Sequence, residues 1–185
     1  MTTSAFFPDG GPLSEEEFFA LEEATDRVEL FDWSLHVTPA PTPRHQHISR
    51  RLANALEAGA SPERLHVVEA INVRLKPGRI PIPDVVITSD IDFDEQAVDA
   101  EQVLLVCEIV SPSNASADKI LKMHYYAEAG IPWYLIVEQE TGALHLYRLE
   151  GRHYVERSVT KVGDLLHLTD PVDVTIAPEK LLPPR

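Results

Sequence analysis

The run VLLVCEIV, Val103 to Val110, constrains the chain most, because seven of its eight residues are apolar and the exception is a carboxylate, Glu108. A run without polar alternation suits a central strand covered on both faces. An ionised acid in such a strand is unfavourable unless it is paired, protonated or bound to a metal. A helical pattern over Ala115 to Ala129 follows, stopped by Gly130, and PWYLIVEQ supplies the next strand. This strand, helix, strand order makes a right-handed crossover if the two strands are parallel neighbours.

The remaining pattern builds around that unit. Ser14 and Glu17 have the spacing of a capping box, which predicts a first helix from Ser14 to about Ala24. RVELFDWSLHVTP reads as two strands about a turn near Asp32 to Ser34. Ile48, Leu52, Ala55 and Leu56 give HQHISRRLANALEAG a buried helical face, with Gly59 as its stop. Leu65 to Leu75 and Ile82 to Thr88 read as strands, and ALHLYRLEGRHYVERSV as a hairpin about Glu150-Gly151. The expected fold is mixed α/β (α+β): a central mixed sheet flanked by helices, with an N-terminal helix pair and a late antiparallel extension. At 44% hydrophobic residues, 185 residues suffice for a core, and residues 1–185 are expected to form one domain with 149–185 as a peripheral extension.

Several classes of function are disfavoured. A net charge of −14 opposes non-specific adhesion to nucleic acid, which needs Lys and Arg to displace counterions. The charge is uneven, however: bases outnumber acids between Arg44 and Arg79, so a local basic surface is possible. One cysteine, Cys107, leaves no disulfide framework or cysteine-rich zinc site. With no run of about 18 apolar residues and no basic-then-apolar leader, a soluble, cytoplasmic protein is expected, with no membrane partner. Asp90, Asp92, Asp94 and Glu101 imitate a calcium loop, but Glu95 stands where glycine is required, and a solvated acidic loop is the simpler reading. His45 and His47 diverge at the start of a helix, so His45 is read as a cap or a substrate-phosphate contact rather than half of a metal pair.

Two acids remain for chemistry. Asp84 heads DVVIT and Glu108 interrupts its apolar strand; if the strands are neighbours, both carboxylates can reach one hard cation such as magnesium. The competing readings are a Pro-Asp turn acid for Asp84 and a buried arginine partner for Glu108. Asp118, Lys122 and Tyr126, each four apart, share one helix face. That spacing also describes an ordinary surface ion pair, although the helix starts just beyond Glu108 and a long Lys122 side chain can return towards it.

Glu29-Leu30, His45-Gln46 with Ile48, Leu52 and Leu56, Pro83-Asp84-Val85, Glu108 to Ser113, Asp118, Lys122, Tyr126, Gly130 and Pro132 resemble, in order and spacing, the Uma2 family over residues 14–148. That family is assigned to the PD-(D/E)XK superfamily of restriction-endonuclease-like nucleases. The resemblance implies an endonuclease that hydrolyses DNA with Mg2+ or Mn2+; since cutting both strands of a duplex calls for two sites, a homodimer is expected. Asp84, Glu108 and the Ile109 carbonyl would be metal ligands, and Asp84, Glu108, Lys122 and Glu29 catalytic residues. Glu29 matches the family's acid near the end of the first helix. His45, Asp118 and Tyr126 would meet substrate or position Lys122, and Tyr126 serves equally well in a core. The superfamily pattern puts lysine two residues after the glutamate, where Val110 stands; the family's matching lysine is Lys122, whose role the resemblance implies would be that of a migrated catalytic lysine. The family commonly has glycine where this chain has Trp33, so that turn is expected to take another shape. The competing reading, favoured by net acidity and the missing strand lysine, is a nuclease-fold binding or assembly module without activity.

Overall fold

The computed structural model describes residues 3–5, 13–21, 27–38, 40–60, 64–111 and 117–184, with backbone alone for 3–5 and 117–119. In chain order the elements are β1 (Thr3–Ala5), α1 (Glu15–Phe19), β2 (Arg27–Phe31), β3 (Ser34–Thr38), α2 (Pro43–Glu57), β4 (Leu65–Glu69), β5 (Val73–Arg74), β6 (Val85–Ser89), β7 (Val98–Asp99), β8 (Val103–Val110), α3 (Ala117–Glu128), β9 (Trp133–Glu138), β10 (Leu144–Glu150), β11 (His153–Thr160), β12 (Leu166–Leu168) and β13 (Val174–Ile176).

The apolar run is the interior strand it was expected to be. A six-stranded sheet has the order β11-β10-β9-β8-β6-β4, in which β8 and β9 are parallel and the other neighbours antiparallel. Successive residues of β8 enter different cores. Leu105, Cys107 and Ile109 pack with Ile48, Leu52 and Leu56 of α2, while Val106 joins Tyr126 of α3 with Tyr134 and Ile136 of β9. Both faces are therefore apolar for a reason, and Glu108 lies on the opposite face from Cys107.

The structure changes four details. The Ser14–Glu17 capping box is present, but α1 stops at Phe19, and residues 22–26 lie outside those described. The strand read over Leu65 to Leu75 breaks at Ala70, whose φ of 53° is a left-handed conformation that a ladder does not accommodate. The strand read from Ile82 starts only at Val85, since Pro81 and Pro83 have no N–H for pairing. The tail is also more than a cover: Leu166, Leu168, Val172, Val174, Ile176 and Leu181 are buried in the α2-side core.

The β2–β3 turn has positive φ at both Asp32 (49°) and Trp33 (66°), the pairing that two-residue hairpin turns of type I′ use. Trp33 thus adopts a backbone conformation that glycine supplies more cheaply, and its indole lies against Gly78. The Trp33 amide donates to the Gly78 carbonyl at 3.0 Å, which ties this hairpin to the following loop. Among the described residues, no helix is long and apolar enough to cross a membrane.

Candidate active site

The end of β6 fixes Asp84. Its amide donates to the Cys107 carbonyl at 3.2 Å, beyond which the two strands separate, and its carboxylate fills the gap. Oδ2 accepts the Ile109 N–H at 2.7 Å and lies 3.2 Å from His45 Nε2; Oδ1 accepts Arg27 Nη1 at 2.6 Å. Four separate parts of the chain meet here: β2, the first turn of α2, the start of β6 and the end of β8.

Glu108 is served from α3. Lys122 and Tyr126 are one helical turn apart and both reach Oε1, with Nζ at 3.2 Å and the phenol donating at 2.6 Å. The same ammonium lies 2.9 Å from Glu29 Oε1, which also accepts the Ile82 N–H at 2.8 Å.

Burial turns these contacts into strong electrostatic coupling. Glu29, Asp84, Glu108 and Lys122 retain 2%, 4%, 7% and 7% exposure, so the pairs interact through protein rather than water. Burial alone would raise the Asp84 pKa, but His45 and Arg27 outweigh it and hold the carboxyl well below its ordinary range. At Glu108 burial wins: opposed by Lys122 and reinforced by the Asp84 charge, it pushes the carboxyl up to about 7. Two neighbouring acids are thereby driven apart in protonation, a pattern that marks functional sites as well as structural ion-pair networks.

The structure gathers Asp84, Glu108, Ile109, Lys122, Glu29, His45 and Tyr126 into one cluster. Glu29 comes from β2 rather than from the end of a helix. Lys122 points inward, so the surface-pair alternative is excluded for its ammonium; the Asp118 side chain lies outside the described residues. Tyr126 is 0% exposed, so a direct substrate contact does not fit; it acts on Glu108 from within the core. The α2 cap is Thr42, whose hydroxyl accepts the His45 amide at 3.3 Å, leaving the His45 ring for Asp84. His47 is not part of the cluster. Sequence reading missed Arg27, although a signal existed: Arg27 and Glu29 are two apart on one strand and so face the same side.

A mixed sheet with buried acids gathered where β6 and β8 part, and a lysine returning from the crossover helix, is a restriction-endonuclease-like architecture. A crystal structure of "a putative nuclease belonging to DUF820" from Anabaena variabilis ATCC 29413 is similar in fold, with a TM-score of 0.71 at 13% identity over 92% of this chain and 97% of that one. The Uma2 family model, described as "Putative restriction endonuclease", matches residues 15–179, and the chain belongs to that family. The match continues through β12 and β13, past the limit of 148 read from the motifs. No curated protein matches the chain.

Proposed function

We propose that this protein is a DNA endonuclease dependent on Mg2+ or Mn2+, with Asp84, Glu108 and the Ile109 carbonyl as metal ligands. The observation that carries the reading is the inward turn of Lys122, which places a cation beside Glu108 and Glu29 in a cluster built around Asp84. Family membership supports the nuclease chemistry.

The donor set fits a hard dication in kind: two carboxylates and one backbone carbonyl are oxygen ligands. No three His, Cys, Asp or Glu side chains among the described residues form a ready cage, so the backbone oxygen is part of the set. In an extended strand the N–H and C=O of a residue point to the same side; the Ile109 N–H faces Asp84, which puts its carbonyl on that edge. The buried acids also exceed the permanent cations Arg27 and Lys122, an imbalance suited to a further cation.

A bound dication supplies Lewis-acid polarisation of a phosphate oxygen and a more acidic water. The chain's own contribution is positioning. Lys122 orients the attacking water or stabilises negative charge as it develops, Glu29 and Glu108 fix the ammonium, and Tyr126 fixes Glu108. Cutting both strands of a duplex calls for two such sites, hence a homodimer.

The test is cleavage of supercoiled plasmid and of single-stranded DNA with Mg2+ or Mn2+, comparing wild type with Lys122→Met. Metal-dependent cleavage that the variant loses supports the proposal. DNA bound but never cut, under either metal, assigns the assembly-module reading instead.

A further inference from the structure

The sequence is rich in bases between Arg44 and Arg79, and the fold neutralises most of them. Arg50 pairs with Glu69, Arg74 with Glu15 and Asp99, Lys76 with Glu128, and Arg79 with Asp32 and Glu128. Arg44 and Arg51, both exposed on α2, form no ion pair among the described residues. Among those residues no other helix or strand carries two arginines or lysines outside ion pairs. In a chain of net charge −14, α2 therefore presents positive charge that the protein itself does not offset.

Helical spacing aligns these cations. Arg44, His47 and Arg51 recur three and four residues apart and so lie along one side of α2, continued by Asn54 and Ala55; the helix's one acid, Glu57, stands on another side. Arg44 occupies the first turn, where the helix dipole favours acids and disfavours a cation, and that turn holds no acid. An anion from outside the chain relieves that conflict. Arg44 Nη1 donates to the Gln139 carbonyl at 3.3 Å, and the Gln139 amide donates to the Val110 carbonyl at 2.9 Å. The ridge thus begins beside the end of β8, one residue past Ile109. Glu140, the next residue and exposed, forms no ion pair with Arg44. From Arg44 to Arg51 the helix axis rises about 10 Å, roughly three base steps of a duplex.

We infer that the ridge of Arg44, His47 and Arg51 is a track for the phosphate backbone of duplex DNA, which leads a strand to the acids at the end of β8. The two arginines displace counterions, and His47 between them adds a hydrogen-bond donor. Contacts of this kind fix the position of the duplex and read no sequence. The inference rests on the nuclease reading for what happens at the acids, but the uncompensated charge of α2 does not depend on it.

The experiment is run in EDTA, so it is independent of metal and of cleavage. Anisotropy of a short fluorescent DNA duplex is followed at several salt concentrations with wild type, Arg44→Ala, Arg51→Ala, the double alanine variant, the double lysine variant and Arg152→Ala. Arg152 is the control for diffuse charge, since the β10–β11 turn lies at the opposite end of the sheet from Val110. Each alanine is expected to weaken binding and to lower the slope of log affinity against log salt by about 0.9, and the pair by about twice that. The double lysine variant keeps the wild-type slope, because the track holds charge rather than one packed shape. Wild type that does not bind the duplex at low salt, alanine variants with the wild-type slope, or an equal loss in Arg152→Ala overturns the inference. So does ultracentrifugation in which the double alanine variant loses a salt-sensitive self-association while its DNA affinity is unchanged, which gives the ridge to the acidic surface of a second copy. Arginine-dependent binding by a protein that never cleaves DNA with either metal keeps the track and sinks the nuclease reading; cleavage with arginine-independent binding does the reverse.

Discussion

Lys122 Nζ stands 3.2 Å from Glu108 Oε1, so a residue of the crossover helix closes on the acid that interrupts the central strand. It also stands 2.9 Å from Glu29, which belongs to the other sheet, so one ammonium joins two layers of the molecule. Replacing it with methionine keeps the volume and strips both acids of their counter-charge. Lys122→Met is expected to lose roughly 3 to 5 kcal/mol of stability, the usual penalty for breaking a buried pair. Cleavage should fall at least about 100-fold. Urea unfolding and the plasmid assay measure the two effects separately.

The raised Glu108 carboxyl predicts a pH dependence of the metal-free protein. Its pKa is about 7 in the fold against an ordinary 4.5, so the native state holds a proton that the unfolded chain releases earlier. Its contribution to stability is complete below the ordinary value, and declines as pH rises to about 7. Asp84 acts oppositely, with a stabilising contribution lost as pH falls through the acid range. In EDTA, wild type should therefore lose stability relative to Glu108→Gln between pH 5 and pH 7.5, as read by denaturant midpoints. A constant difference across that range would contradict the buried-acid account.

Tyr126→Phe removes one oxygen and leaves the ring in its core. The phenol donates to Glu108 at 2.6 Å, and a hydrogen bond to a charged acceptor is worth about 1.5 to 3 kcal/mol. A loss in that range is expected in urea, together with a further rise of the Glu108 pKa. Because the phenol is fully buried, the KM for DNA should stay within about twofold of wild type while kcat falls.

Gly59 tests whether the tail belongs to the core. A Cβ there would lie 2.2 Å from the Val174 side chain and 2.7 Å from the Asp173 carbonyl, so α2 and β13 cannot stay in place. Gly59→Ala is expected to lose about 1 to 3 kcal/mol by overpacking. Manganese affinity of the folded variant should be unchanged, since neither of the proposed metal acids is touched; calorimetry after a thermal melt checks both statements.

Much of this site was legible in the sequence because burial leaves a plain mark on an apolar strand. Glu108 stands out in VLLVCEIV, and the helix that begins just past it makes an inward Lys122 geometrically natural. Arg27 was not legible in the same way. It lies in RVELF, where one arginine among mixed residues looks like an ordinary exposed position, and only tertiary packing brings it to Asp84 across 57 residues. The Ala70 break was hidden for another reason: alanine carries no signal for the left-handed conformation it adopts there. The tail misled because its short apolar triplets, LHL and VTI, acquire meaning only when α2 offers a face to cover.

The central claim, that Asp84 and Glu108 hold a divalent cation together, is tested most directly by calorimetric titration of Mn2+ into wild type and Asp84→Asn, each confirmed folded. Asparagine keeps the shape and one acceptor for the Ile109 N–H while removing the charge. The account predicts saturable binding by wild type and affinity at least about tenfold weaker in the variant, the equivalent of 1.4 kcal/mol or more. No binding by wild type, or the same affinity in both proteins, would contradict it.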